Sequence, residues 1–180
     1  MFANTGITEI PNLPATTIPA YAYREIFYNC INLKTVNNLP AITTFSGAYA
    51  VAYMFSNCTS LIEINWNLTN VTFTGSASSS GCACYGMCKG CTSLIRPIHF
   101  SAYEMPQTLY SEYTTNPQKY TVPRYTFAYA YDNCTSLIIN SCLNRFLIYK
   151  EHACNSMYRN CRSLNEDNNE VYTYHVILVT

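Results

Sequence analysis

Charge is what this 180-residue chain has least of. Lys, Arg, Asp and Glu together make up 11% of it, against about 25% in an average globular domain. The ten basic and ten acidic residues cancel. A neutral chain carries no electrostatic footprint for nucleic acid or for an anionic membrane surface. Long apolar runs are missing too, so no segment is expected to span a bilayer. The opening MFANTGITEIPNLP has neither a basic nor a long apolar stretch and does not read as a signal peptide. No G-x-S-x-G, no H-E-x-x-H, no phosphate loop and no carboxylate pair is present. Of the three His, His152, His99 and His175, no two share a motif. No catalytic residue is expected, and no cofactor.

Uncharged polar groups fill the gap. There are 17 Tyr and 19 Asn, a palette that hydrogen-bonds without a long-range field and suits contact with sugars, proteins or further copies. At this length one domain, residues 1–180, is expected. Four Asn-x-Thr sequons, at Asn57, Asn67, Asn70 and Asn133, match what chance gives in a chain so rich in both residues. The run of residues 165–170 reads as a solvated turn.

Ten cysteines stand out, four of them in CACYGMCKGC, residues 82–91. Their meaning comes from an internal repeat. EIFYNCINL, YMFSNCTSL, GMCKGCTSL, YAYDNCTSL and SMYRNCRSL align on Cys30, Cys58, Cys91, Cys134 and Cys161, separated by 28, 33, 43 and 27 residues. Numbering columns from that cysteine, +3 is always Leu and −1 is Asn or Gly. Column −3 is Phe, Cys or Tyr, −4 is mostly Met, −8 mostly Ala and −9 mostly Tyr. Apolar columns at −8, −4, −3 and 0 match a helical period and predict a short helix of two to three turns. The Asn or Gly at −1 predicts a left-handed residue closing it.

Each Leu is followed by a strand-like phrase, LKTVNNLP, LIEINWNL, LIRPIHF or LIINSCL. ITEIPNLPA, residues 7–15, aligns with residues 33–41, so the chain is expected to open on the strand half of a repeat. VYTYHVILV, residues 171–179, is read as a capping strand. The expected architecture is an α/β repeat solenoid of about five to six units over residues 7–165. Each unit has a short helix and one parallel strand, buried against its neighbours.

Nine of the ten cysteines fall on repeat columns, Cys142 alone lying outside them. The simplest account is that they fill core slots as small apolar groups. Two others stay open at this level. Cys84, Cys88 and Cys91 share one helical face and could converge on a metal with Cys82, and a local disulfide such as Cys82–Cys154, or one using Cys142, is the other, although an opening that does not read as a signal peptide favours reduced thiols. The reading adopted has no metal.

The unit A-x-x-x-M-F-x-N-C-x-S-L, followed by an Ile-rich strand and Pro, resembles the BspA-like leucine-rich repeats. The resemblance spans about residues 7–165. It implies a right-handed solenoid with a curved parallel sheet, and adhesion or ligand binding rather than catalysis. The expected function is a non-enzymatic binding module for a protein or glycan. The expected ligand residues point outward from the strand phrases: Thr35, Asn37, Glu63, Asn65, Arg96 and the single Trp66, with Ile98 also on an outward column. The insertions at residues 74–81 and 101–120, the second rich in Tyr, are read as a flexible loop and as a recognition or oligomer-contact loop. The alternatives are a structural or assembly protein that self-associates, such as a phage virion or tail component, and a metal protein built on the cysteine cluster. The setting expected is a cell surface or a virion.

Overall fold

The computed structural model describes residues 1–66, 68, 71–73, 82–98, 121–138, 148–149 and 152–164. The insertions at 74–81 and 101–120, the segment 171–179, Cys142, His99 and His175 lie outside the described residues.

The backbone repeats as a stack of coils. Among the described residues there are seven two-residue strands: β1 Thr17–Ile18, β2 Thr35–Val36, β3 Thr44–Phe45, β4 Glu63–Ile64, β5 Thr72–Phe73, β6 Thr121–Val122 and β7 Ile148–Tyr149. All pairings are parallel and join one coil to the next: β1–β3–β5, β2–β4 and β6–β7. Offsets of 27 and 28 residues between bonded partners repeat the spacing of the cysteines. Each coil has one strand stretch before the cysteine phrase (β1, β3, β5, β6, β7) and, in the first two coils, one after it (β2, β4). The sequence predicts only one.

The stretch predicted as a helix is not helical; no helix occurs among the described residues. It is a ribbon of overlapping turns. In the first coil the Ala22, Arg24, Ile26, Tyr28 and Cys30 N–H groups donate three residues back, to Pro19, Tyr21, Tyr23, Glu25 and Phe27. The alternate N–H groups leave the coil. Tyr21, Tyr23, Glu25, Phe27 and Asn29 donate to the carbonyls of Ala48, Ala50, Ala52, Met54 and Ser56 in the next coil, at 2.8–3.1 Å. The same two-way alternation recurs through the fourth coil, as in Phe55 to Met87, Cys88 to Ala130 and Tyr131 to Met157. Among the described residues every backbone bond between coils of the ribbon runs from an earlier N–H to a later carbonyl. The backbone polar groups that a helix would satisfy internally are satisfied between coils instead.

The cause lies in the φ angles. Tyr21, Glu25 and Asn29 are left-handed, as are Tyr49, Tyr53 and Asn57, Gly86 and Gly90, Tyr125, Tyr129 and Asn133, and His152, Ser156 and Asn160. These are columns −9, −5 and −1. A left-handed residue every fourth position breaks an α-helix and gives every second turn the sign pattern of a type II turn. The apolar columns −8, −4 and 0 also repeat every four residues. Over nine residues that period drifts only about 80° from the helical one, so the three columns would still share one helix face, which is why the sequence pattern points to a helix. The left-handed residue predicted at −1 is present in all five coils.

The core runs along the stack axis. Leu33, Leu61, Leu94 and Leu137 are fully buried, as are Cys30, Cys58, Cys91 and Cys134. Met54, Met87, Ala50 and Ala130 line the same interior, and Val36, Phe45, Ile64 and Phe73 enter it from the strands. Column −3 forms an aromatic stack: Phe2 on Phe27 at 5.8 Å, Phe27 on Phe55 at 5.6 Å and Tyr131 on Tyr158 at 5.6 Å between ring centroids. Cys88 interrupts it, and the small side chain leaves room for the buried Tyr131 hydroxyl to accept the Ile98 N–H at 3.0 Å.

Residues 1–5 correct one expectation. The Phe2 and Asn4 N–H groups donate to Ile26 and Tyr28, Asn4 is left-handed, and Asn29 Nδ2 donates to Asn4 Oδ1 at 2.9 Å. MFANT therefore occupies columns −4 to 0 of a further coil ahead of residues 7–15. Its likeness to MFSNC at 54–58 was the available signal.

Candidate binding face and the cysteine ladder

β2 and β4 pair in register, Thr35 beside Glu63 and Val36 beside Ile64. Alternation in an extended strand sends Val36 and Ile64 inward and their neighbours outward. Thr35, Asn37, Glu63 and Asn65 therefore share one outer face. Asn65 Nδ2 donates to Asn37 Oδ1 at 2.8 Å, and the Asn65 N–H donates to the Val36 carbonyl at 2.8 Å. The two amides form a rung-to-rung ladder whose remaining donors and acceptors face solvent. Arg96 is exposed in the third coil, where the neighbouring Ile95 N–H bonds Ile62 O at 3.1 Å. Among the described residues neither Glu63 nor Arg96 has an ion-pair partner.

Trp66 does not join that face. It is 4% exposed, and its indole Nε1–H donates to the Pro40 carbonyl at 2.9 Å. The ring packs in the core, where an indole needs such a partner for its one polar atom. Ile98 is likewise buried rather than outward.

The cysteine of each repeat has a specific task. Cys58 Sγ–H donates to the Phe27 carbonyl at 3.1 Å, Cys91 to Phe55 at 3.0 Å, Cys134 to Cys88 at 3.1 Å and Cys161 to Tyr131 at 3.0 Å. Cys30 donates to the Phe2 carbonyl at 3.1 Å. Each thiol thus reaches the column −3 carbonyl of the preceding coil, which already accepts a turn N–H. An alkyl group would fill the slot and leave that second bond unmade; a hydroxyl is shorter and costs more to bury. Burial pushes the Cys58, Cys91 and Cys134 thiols well above the ordinary range, while half-buried Cys161 rises to about 11. These thiols are donors, not nucleophiles.

The other cysteines of 82–91 are core residues as well. Cys84, Cys88 and Cys91 are fully buried, and Cys82 is nearly so and hydrogen-bonded with the Tyr49 side chain. That bond is the first cause, and burial the second, of a Tyr49 hydroxyl raised to about 12. Cys82 and Cys154 are both free thiols. Among the described residues no group of three or more His, Cys, Asp or Glu is placed to hold a metal ion.

On the outside of the ribbon the tyrosines form a strip. Tyr21 stacks on Tyr49 at 5.6 Å; Tyr85 lies at 5.5 Å from Tyr53 and 5.4 Å from Tyr129. Gly86 makes this fit: a Cβ there would sit 2.6 Å from the Tyr53 ring. Nearby, buried Asp132 holds Arg159 through both oxygens, at 2.9 and 2.7 Å, and Lys89 at 3.3 Å. The Arg159 bonds, more than Lys89, hold its carboxyl below the usual carboxylate range against the opposing effect of burial. The triad ties coils three, four and five together at column −2.

No family model matches the chain, and no curated protein does. It is similar to solved structures of leucine-rich repeat proteins, each 17% identical. A leucine-rich cell surface protein of Faecalibacterium prausnitzii A2-165 matches over 87% of this chain and 30% of its own, with a TM-score of 0.37. A leucine-rich repeat protein of T. pallidum matches over 88% and 64%, at 0.40, and one of Bacteroides ovatus over 91% and 43%, at 0.34. The chain thus spans less than two thirds of the length of each. Its repeat solenoid stands on its own coil-to-coil hydrogen bonds, in register from β1 to β5 and from the first ribbon to the fifth.

Proposed function

We propose that this chain is a non-enzymatic binding module that recognises a protein or glycan through the outer face of β2 and β4. The observation that carries this reading is the registered ladder of Thr35, Asn37, Glu63 and Asn65, with Arg96 in the next coil. Its amides and hydroxyl present unsatisfied hydrogen-bonding capacity on a backbone already fixed by its neighbours. Such preorganisation lowers the cost of ordering side chains on binding. A neutral amide-rich face discriminates by hydrogen-bond geometry rather than by steering. The repeat unit is of the BspA type in this reading, the Tyr-rich insertion at 101–120 contributes a second contact, and the setting is a cell surface or virion.

The test is a glycan array and a peptide array probed with the purified chain and with Asn37→Ala/Asn65→Ala. Binding by the parent to a defined subset, lost in the double variant with thermal unfolding unchanged, is the expected result. No binding on either array, or binding indifferent to the double variant, overturns it.

A further inference from the structure

Beside the amide ladder runs a second row with no assigned task. Ile62, Ile95 and Ile138 occupy column +4 and are 43%, 39% and 42% exposed. The Ile62 N–H donates to Lys34 O at 2.8 Å, Ile95 to Ile62 O at 3.1 Å and Ile138 to Ile95 O at 3.0 Å. This backbone ladder holds three isoleucines in line, about 4.8 Å apart as adjacent parallel strands are. Single exposed apolar residues are ordinary; an aligned row on successive coils marks a contact surface. In column +5, next to the row, stand Glu63 and then Arg96, opposite charges in adjacent coils, each without an ion-pair partner among the described residues. Lys34 replaces isoleucine at the first-coil end of the row.

We propose that this row is the contact between two copies of the chain, paired about a two-fold axis that runs along the strand direction midway between the second and third coils. This inference rests on reading the β2–β4 side as a contact surface, and it names a second copy as one occupant. The charge pattern selects that occupant. The axis sets the two stacks antiparallel and brings column against like column. Ile62 then meets the partner's Ile95, Glu63 meets the partner's Arg96, and each contact occurs twice. Ile138 meets the aliphatic stem of the partner's Lys34, whose ammonium stays in water. A parallel pairing of like coils sets Glu63 at the level of Glu63 and loses the match. An unrelated partner has no reason to find Glu63 and Arg96 arranged as mutual complements.

Sedimentation equilibrium of the purified chain over a wide concentration range tests this. The parent is expected to dimerise. Ile95→Asp is expected to weaken association about tenfold or more. Glu63→Arg and Arg96→Glu each weaken it about fivefold, since each sets like charges face to face at two places. The double reversal Glu63→Arg/Arg96→Glu exchanges the partners and restores the parent's association. All three substituted positions are exposed, and circular dichroism checks that the variants fold. A parent that stays monomeric at every concentration, a dimer indifferent to Ile95→Asp, or a double reversal that fails to restore association overturns the proposal. A monomer that still binds an array through Asn37 and Asn65 defeats this inference alone. A charge-swappable dimer that binds no array defeats the ligand reading alone.

Discussion

The ribbon and the strands of this protein hold the same stack in different ways. A strand stretch contributes two residues per coil and pairs as any parallel ladder does. The ribbon contributes about ten residues per coil and splits its N–H groups, half inward to the turn and half onward to the next coil. It adds the thiol bonds, the aromatic stack and the Asp132 triad. The stack is therefore held mainly by the ribbon, and the strand side is left free to carry changeable residues on its outer face. Where the backbone is fixed most heavily, side chains are constrained to a few types; where it is fixed lightly, they vary from Thr to Glu to Arg.

The most disruptive way to break this contrast is Gly86→Val. A β-branched residue is strained at φ +56° and its Cβ meets the Tyr53 ring, so urea unfolding should show a loss of about 3 kcal/mol or more. Alkaline pH comes next. The buried thiols have folded-state pKa values raised above their unfolded ones, so their contribution is complete below the unfolded pKa and drains away as pH rises. Stability should be flat from pH 6 to 8. From about pH 9 it should fall by about 1.4 kcal/mol per unit for each buried thiol, until each folded-state value is reached; for Cys161 that is about 11. A profile flat to pH 11 contradicts the thiol assignment. Smaller again is Cys58→Ala, expected to cost about 1–3 kcal/mol from the lost donor and the small void; Cys161→Ala, at a half-buried site, should cost less. The strand face supplies the low end: Asn65→Ala should change unfolding free energy by under about 0.5 kcal/mol. A loss at Asn65 equal to that at Cys58 would erase the contrast.

The sequence carried the equivalence of the five cysteines, the repeat length, the buried Leu at +3 and the left-handed residue at −1, because each is a column of like residues. It did not carry the ribbon. A period of four and a period of 3.6 separate too little over nine residues, and the signal against a helix, Tyr tolerated at φ near +55° in columns −9 and −5, runs against ordinary preference. Trp66 was misleading because a polar phrase, NWN, surrounds a ring whose N–H finds Pro40 from another coil. The outward placement of Thr35, Asn37, Glu63 and Asn65 was legible from strand alternation. The bond between Asn37 and Asn65 was not, since it needs the coil-to-coil register.

Between Cys91 and Cys134 the chain travels 43 residues instead of 28, yet Gly86, Cys88 and Gly90 still find Ala128, Ala130 and Asp132 as if nothing had intervened. A lattice that recognises only peptide groups is indifferent to the length of chain that separates its layers in sequence. Evolution, or an engineer, can thus graft a long excursion at that seam and inherit the scaffold unaltered.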